Sequence, residues 1–373
     1  MEEYKLYNGK KLRYGYTTGT CAAAATKAAA YYMKNKIKID TVDIDTPKGW
    51  TVNVPIIEIG MVDNCGFARV IKDSGDDPDV TNGIEIKSTI GLIPELEVNV
   101  KGGIGVGIVT KKGLQVPVGD SAINPVPKKM IKNEYTKIFG ENQGANIVID
   151  VPLGQEISKK TLNRKLGIIN GISIIGTTGI VEPMSESALI ESLHLEIKRL
   201  GTEKKTMVMI LGNYGKDFSK NNVFLENKMV KVSNFIGDCL DFSVSEGFEK
   251  ILLIGHIGKL VKVAGGIFNT HSKTADARME ILASHYLLYN ENINVFKKIM
   301  TSNTTDEAVD YILENKDKLF FDKLADTISK KCMERTKNII QVGTILFNLS
   351  VGELGKCDIS KELLIQMNDG GNQ

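Results

Sequence analysis

Four times between residues 172 and 258, an apolar run of strand length ends in a turn built from glycine and small polar residues. Ile172–Ile175 leads into GTTG, Met207–Leu211 into GNYG, Val230–Val232 into SNFIGD, and Ile251–Ile254 into GHIG. Runs this short and this uniformly apolar fit a parallel sheet buried on both faces, with helices as crossovers. The rhythm is not a solenoid repeat, because the segments share no sequence. It predicts an α/β C-terminal domain with a mainly parallel sheet over residues 167–373. Helices are expected from about Thr304 to Asn338, and Ile339–Leu346 reads as a last strand rejoining that sheet.

The first half has a different texture. TTGTCAAAATKAAAYYM, Thr17–Met33, reads as an alanine-rich helix with a threonine cap near Thr20. Short β-branched segments follow, among them TVDIDT, TVNVPIIEI, ARVIK, IEIKSTI, LEVNVKGG and NIVIDVP. AINPVPKKMIKNEYTKIF supplies one helix, expected to start after its prolines. The mixture predicts an α+β domain over residues 1–166, with the boundary inside the polar stretch that begins at Ser158. A chain of 373 residues also exceeds what one core commonly serves.

Charge and composition narrow the partners. A net charge of +2 and 6% aromatic residues give no general basis for binding nucleic acid or a membrane surface. Five dispersed cysteines lack CxxC spacing, so neither a zinc site nor a disulfide framework is indicated, and a reducing cytoplasm is expected. MEEYKLYNGKKLRYG has no signal-peptide core, and no apolar run approaches the roughly 20 residues needed to span a bilayer. The composition is compatible with a homo-oligomer.

At the carboxyl edge of an open parallel sheet, strand ends meet helix N-termini, and ligands bind there. Glycines let backbone approach a ligand, and unpaired helix N–H groups attract carboxylate or phosphate. All four turns are expected on that edge; ordinary turn chemistry without a ligand is the plainer alternative. GxGxxG, GxxxxGK[ST] and GxSxG are absent, which argues against a standard dinucleotide site, a P-loop and a nucleophile elbow.

Two of only four histidines, His256 and His271, bracket the fourth turn and its lysine-bearing continuation. Each reads either as a proton-transfer group near neutral pH or as a cap of the following turn. His194 and His285 fall within helices and read as surface or packing residues. Lys259, Lys262 and Arg278 are candidates for binding substrate carboxylates, or else members of a solvated helix face. The glycine-rich GGIGVGIVTKKGL reads either as a loop closing on an acidic ligand or as a tight hairpin. The carboxylates of GDDPDVTNG lack the ordered spacing of a metal loop.

Taken together, LRYGYTTGTCAAAATKAA, DSGDDPDVTNG, GGIGVGIVTKKGL, INPVPKKMI, GTTGIVEPMS, GNYG, SNFIGD and GHIGKLVKVAGGIFNTHSKTADAR resemble the cobalt-precorrin-5B C(1)-methyltransferase family of anaerobic cobalamin biosynthesis. The resemblance implies methyl transfer from S-adenosylmethionine to ring carbon 1 of a cobalt tetrapyrrole, giving cobalt-precorrin-6A. It also implies an α+β first domain on the substrate side and a Rossmann-like second domain for the methyl donor. Donor contacts are then expected from Gly176, Thr177, Thr178, Gly179, Gly212, Asn213 and Asn234. Glu182 and Asp238 are candidates for the ribose, and Tyr214 for the adenine. Substrate contacts are expected from Thr17, Thr18, Thr20, Lys259, Asn269 and Arg278, with His256 or His271 as a base. Cobalt arrives inside the substrate, so no protein metal site is expected. A nicotinamide-dependent tetrapyrrole reductase and a non-catalytic corrinoid carrier are the competing readings.

Overall fold

The alanine run decides the architecture of the first part of the chain. In the computed structural model, which describes residues 3–212 and 228–369, Thr18–Asn35 is a helix. All seven of its alanines are fully buried. Methyl side chains let the helix lie close to its neighbours: an added Cβ on Gly66 of the sheet would sit 2.1 Å from Met33 Cγ. In the middle of the buried face, Thr26 Oγ1 donates to Ala22 O and shares a 2.8 Å hydrogen bond with Ser88 Oγ, so its burial leaves no unpaired hydroxyl. The cap is Thr17, three residues earlier than expected, with Oγ1 accepting from Thr20 N.

The chain divides into two units, Met1–Glu186 and Ser187–Gln373. In the first, five strands are ordered Glu58–Val62, Cys65–Ile71, Glu85–Ile93, Gly144–Asp150 and Val98–Gly102. Every pair is antiparallel except the last. Hairpins Tyr4–Tyr7/Lys10–Arg13 and Thr41–Asp45/Thr51–Pro55 lie outside that sheet. The second helix is Pro125–Phe139, and it begins on its prolines instead of after them. Proline suits the first turn of a helix, where its missing N–H would have no partner and its fixed φ is already helical.

Two expectations are corrected here. Ile172–Ile175 is not a strand of the second sheet: Ile172 bridges Val106, Ile174 bridges Ile123, and Ile180–Val181 pairs with Gly15–Tyr16. These pairings stitch the segment into the first unit, so the division falls at Glu186 instead of inside the polar stretch after Ser158. The GGIGVG glycines serve packing. An added Cβ on Gly105, whose φ is +70°, would lie 1.9 Å from Val151 O, and one on Gly107 would lie 2.4 Å from Ile168 Cγ2.

In the second unit the sheet order is Met229–Lys231, Thr206–Ile210, Lys250–His256, Gln341–Asn348 and Gly352–Lys356. The first four are mutually parallel, and the last is an antiparallel edge. Side chains alternate between two cores. Met207, Met209, Ile251 and Leu253 join helices Ile236–Ser245, Ile257–Ala264, Arg278–Tyr289 and Leu319–Arg335 on one face. Val208, Ile210, Leu252 and Ile254 meet Met367 of helix Asp358–Asp369 on the other. The strand expected at Ile339–Leu346 is present, displaced to Gln341–Asn348. No helix among the described residues is long and apolar enough to cross a membrane.

Candidate functional site

Connectivity places the crevice in the second unit. From Thr206–Ile210 the sheet grows one way to Met229–Lys231, and the chain then crosses to Lys250–His256 and onward to Gln341–Asn348 on the other side. The order therefore reverses between Thr206–Ile210 and Lys250–His256, which is where an open sheet leaves a gap at its carboxyl edge. Gly212, at φ +75°, follows the first of these strands, and His256 ends the second. Below them Gly255 keeps the floor tight, since an added Cβ would meet Leu260 Cδ1 at 3.0 Å and Leu211 Cβ at 3.2 Å.

Asn234, one residue past the left-handed Ser233, is the hub of this edge. Its Oδ1 accepts from Lys259 Nζ at 2.8 Å and from Thr270 Oγ1 at 3.2 Å, and its carbonyl accepts from Thr270 N at 3.0 Å. Phe235 bridges Asn269, and Gly237 N donates to Phe268 O, so residues 265–270 are laid along the SNFIG turn. Only glycine fits at 237: an added Cβ would stand 2.9 Å from Phe268 Cβ and from Arg335 Cζ. Burial lowers the proton affinity of Lys259, and Lys231 and Lys262 lower it further. Among the described residues, no carboxylate pairs with Lys259.

Lys262 has another task. It is 2% exposed, and its ammonium donates to Ala275 O at 2.7 Å and Thr270 O at 3.3 Å, pinning the loop. Arg278 is held by Asp276 through a bidentate pair of 2.7 and 2.8 Å. Asn269 Oδ1 accepts from His271 N at 3.1 Å. Asp238 is exposed in the first turn of Ile236–Ser245.

Both histidines cap turns. His256 Nδ1 accepts from Gly258 N at 3.0 Å, Nε2 faces Asp306 Oδ1 at 3.4 Å, and the ring stands edge-on to Phe347. Burial holds the His256 pKa below its ordinary value, against the pull of the Asp306 carboxylate. His271 Nδ1 accepts from Lys273 N at 3.1 Å. In each ring the Nδ1 lone pair is already used, so a neutral imidazole carries its proton on Nε2. A general base needs the lone pair that these caps consume. Asp306, the partner of His256, escaped the sequence reading because it lies fifty residues downstream in a separate helix.

GTTG is the turn that the structure moves elsewhere. Gly176, Thr177, Thr178 and Gly179 lie in the first unit, against the start of the alanine helix. Thr20 Oγ1 donates to Gly179 O at 2.6 Å, and Thr17 N donates to the same carbonyl at 3.1 Å. Thr18 Oγ1 accepts from Ile175 N at 2.9 Å, and Gly19 N donates to Ile175 O. Thr17, Thr18 and Thr20 are therefore buried and bonded within the protein, and this helix start is not an open anion site. Thr178 Oγ1 donates to Ile180 O, and Glu182 pairs with Lys5 at 2.8 Å. Asn213 and Tyr214 lie outside the described residues.

The carboxylates after Lys72 are likewise committed. Lys72 pairs with Asp79, Arg13 forms a bidentate pair with Asp73, and Asp77 accepts from Met184 N. Among the described residues there is no cluster of His, Cys, Asp and Glu suited to a metal ion.

Comparison with known proteins covers nearly the whole chain. The family profile described as CbiD matches residues 5–183, and the profile of the CbiD C-terminal domain matches residues 269–358. The cobalt-precorrin-5B C(1)-methyltransferase of Alkaliphilus metalliredigens is 50% identical over 98% of this chain and 97% of its own. The proteins of the same name from Thermoanaerobacter sp. and Methanocaldococcus jannaschii are 46% and 44% identical, over 95% and 93% of this chain and 98% and 96% of theirs. The crystal structure of the cobalamin biosynthesis protein cbiD from Archaeoglobus fulgidus is 31% identical, covering 74% of this chain and 87% of that one at a TM-score of 0.41. The chain belongs to the CbiD family.

Proposed function

We infer that this chain methylates carbon 1 of cobalt-precorrin-5B with S-adenosylmethionine, yielding cobalt-precorrin-6A. The observation that carries the reading is 50% identity over 98% of the chain to a relative named for that methyl transfer. We read the second unit as the Rossmann-like donor domain and the first as the substrate side.

The donor's chemistry fits the residues at the switch point. Lys259 offers an ammonium with no described carboxylate partner, which suits the carboxylate of the methionine moiety. Asn234 aims that ammonium, and Gly212 lets backbone approach without a side chain. Asp238 is the acidic group free to meet ribose hydroxyls. Bound S-adenosylmethionine supplies an electrophilic methyl on a sulfonium, whose charge disperses as the methyl moves. The protein's share is to align the reactants and exclude water, which can lower a barrier by about 7–11 kcal/mol in favourable cases. His256 and His271 fit a role as N–H donors and turn caps better than as bases, because their Nδ1 lone pairs are taken. Arg278 and Asn269 remain candidates for contacts with the tetrapyrrole.

Mass spectrometry of the product after incubation with methyl-labelled S-adenosylmethionine and cobalt-precorrin-5B tests the reading. Gain of one labelled methyl is expected. Retention of the tetrapyrrole with no mass gain would favour a carrier, and tight NADPH binding without donor binding would favour a reductase.

A further inference from the structure

The first unit contains a cavity of about 360 Å³ that no part of the donor site uses. One wall is the end of strand Thr41–Asp45 and the turn after it, Asp45 to Pro47. A second wall is one face of helix Pro125–Phe139, where Val126, Lys129, Met130 and Asn133 recur at helical spacing. Thr177, from the GTTG turn, closes the third side.

The polar groups around this cavity are unevenly committed. Asp45 is occupied: its Oδ1 accepts from Thr51 Oγ1 at 2.9 Å and its Oδ2 from Lys137 Nζ at 3.4 Å, which together hold its carboxyl below the usual range. The Thr46 hydroxyl donates to Trp50 O. The side chains of Lys129, Asn133 and Thr177, all three residues exposed, bond to no other described residue. An ammonium, an amide and a hydroxyl, each able to donate, therefore line one concavity together with the apolar Pro47, Val126 and Met130, of which Met130 is buried. Exposed donors beside an apolar lining suit an anionic head on a short hydrocarbon stem. The volume lies at the small end for ligand pockets, so it admits a piece of a large ligand and not a macrocycle.

We propose that this cavity seats one carboxylate arm of the tetrapyrrole, with Lys129 paired to the carboxylate, Asn133 and Thr177 donating to it, and the methylene stem against Met130. The assignment rests on the tetrapyrrole reading above. It gives the first unit a recognition site for ring substituents built on exposed side chains instead of the buried threonines of the helix start.

The test titrates cobalt-precorrin-5B into the full-length protein by absorbance and S-adenosylhomocysteine by calorimetry, for wild type, Lys129→Gln, Lys129→Arg and Met130→Trp. Lys129→Gln is expected to weaken tetrapyrrole binding about tenfold, the scale of one charge-assisted contact. Lys129→Arg should restore most of it, and Met130→Trp, which crowds the apolar lining, should weaken it as well. S-adenosylhomocysteine affinity and the melting temperature of Lys129→Gln should match wild type. Unchanged tetrapyrrole affinity in Lys129→Gln overturns the arm site while leaving the methyltransferase reading intact. Loss of S-adenosylhomocysteine binding instead of tetrapyrrole binding also overturns it, because the cavity would then serve the donor. A wild-type protein that binds no tetrapyrrole removes the functional reading and this assignment together.

Discussion

Asn234 and Lys259 are joined by a 2.8 Å hydrogen bond between residues from two different strand–turn connections, and Thr270 shares the same amide oxygen. One side chain thus sets the direction of a half-buried ammonium and ties down the loop beside it. Asn234→Ala should weaken S-adenosylhomocysteine binding about tenfold, or about 1.4 kcal/mol, and Lys259→Met at least as much. Calorimetry reads both. Equal affinity in both variants and wild type would remove the donor carboxylate from this pocket.

Thiol reactivity offers a check on the packing. Burial pushes the Cys21, Cys239 and Cys332 thiols up to about 12, and Cys357 is 2% exposed. Cys65 alone among the five is partly accessible. A colorimetric disulfide reagent should modify one thiol in the native protein and five after denaturation. Rapid modification of several native thiols would contradict the buried faces described above.

Gly105→Ala should cost at least about 3 kcal/mol, because the new methyl would need a left-handed backbone and would overlap Val151 O. Urea denaturation measures it. Gly49→Ala is the matched control: φ is also positive at +84°, yet nothing lies within 4 Å of the added Cβ. Its loss should be confined to the backbone penalty, about 1–2 kcal/mol.

Acid should loosen the second unit through His256. Folding lowers its pKa, so the unfolded chain binds the proton more readily than the native one. The stabilisation is complete above the unfolded value near 6.5 and is lost as pH falls from there toward the lower native value. His285, also lowered by burial, acts with the same sign. His256→Asn keeps a capping oxygen for Gly258 N but cannot titrate. Between about pH 7.5 and about pH 5.5 its melting temperature should fall less than that of wild type. Parallel slopes would show that His256 does not carry the effect.

Much of the fold could be read from local pattern. Alanine richness announced the helix Thr18–Asn35, and short β-branched segments announced Thr41–Asp45 and Thr51–Pro55. The apolar runs at Thr206–Ile210 and Lys250–His256 were rightly read as parallel strands. Ile172–Ile175 has the same local signature and a different fate, because partner choice is non-local: Val106 and Ile123 claim it. For the same reason GTTG was drawn to the wrong sheet edge. Of the site, the SNFIGD and GHIG turns and Lys259 were legible as residue types at strand ends. The use of Lys262 as a loop pin was not, since it depends on two carbonyls eight and thirteen residues downstream. Nor was the cavity beside Lys129, whose walls come from three distant stretches of chain.

The reversal of strand order beside Thr206–Ile210 separates two duties within the second unit. Register and hydrophobic burial belong to the strands, whereas the groups proposed above to meet the donor sit on Gly212, Asn234 and the start of the helix after His256. On the donor reading proposed above, exchanging those few tips would change how the methyl donor is held without rewriting the interior. Change in donor recognition can therefore proceed by loop replacement, with the load-carrying layer left as it stands.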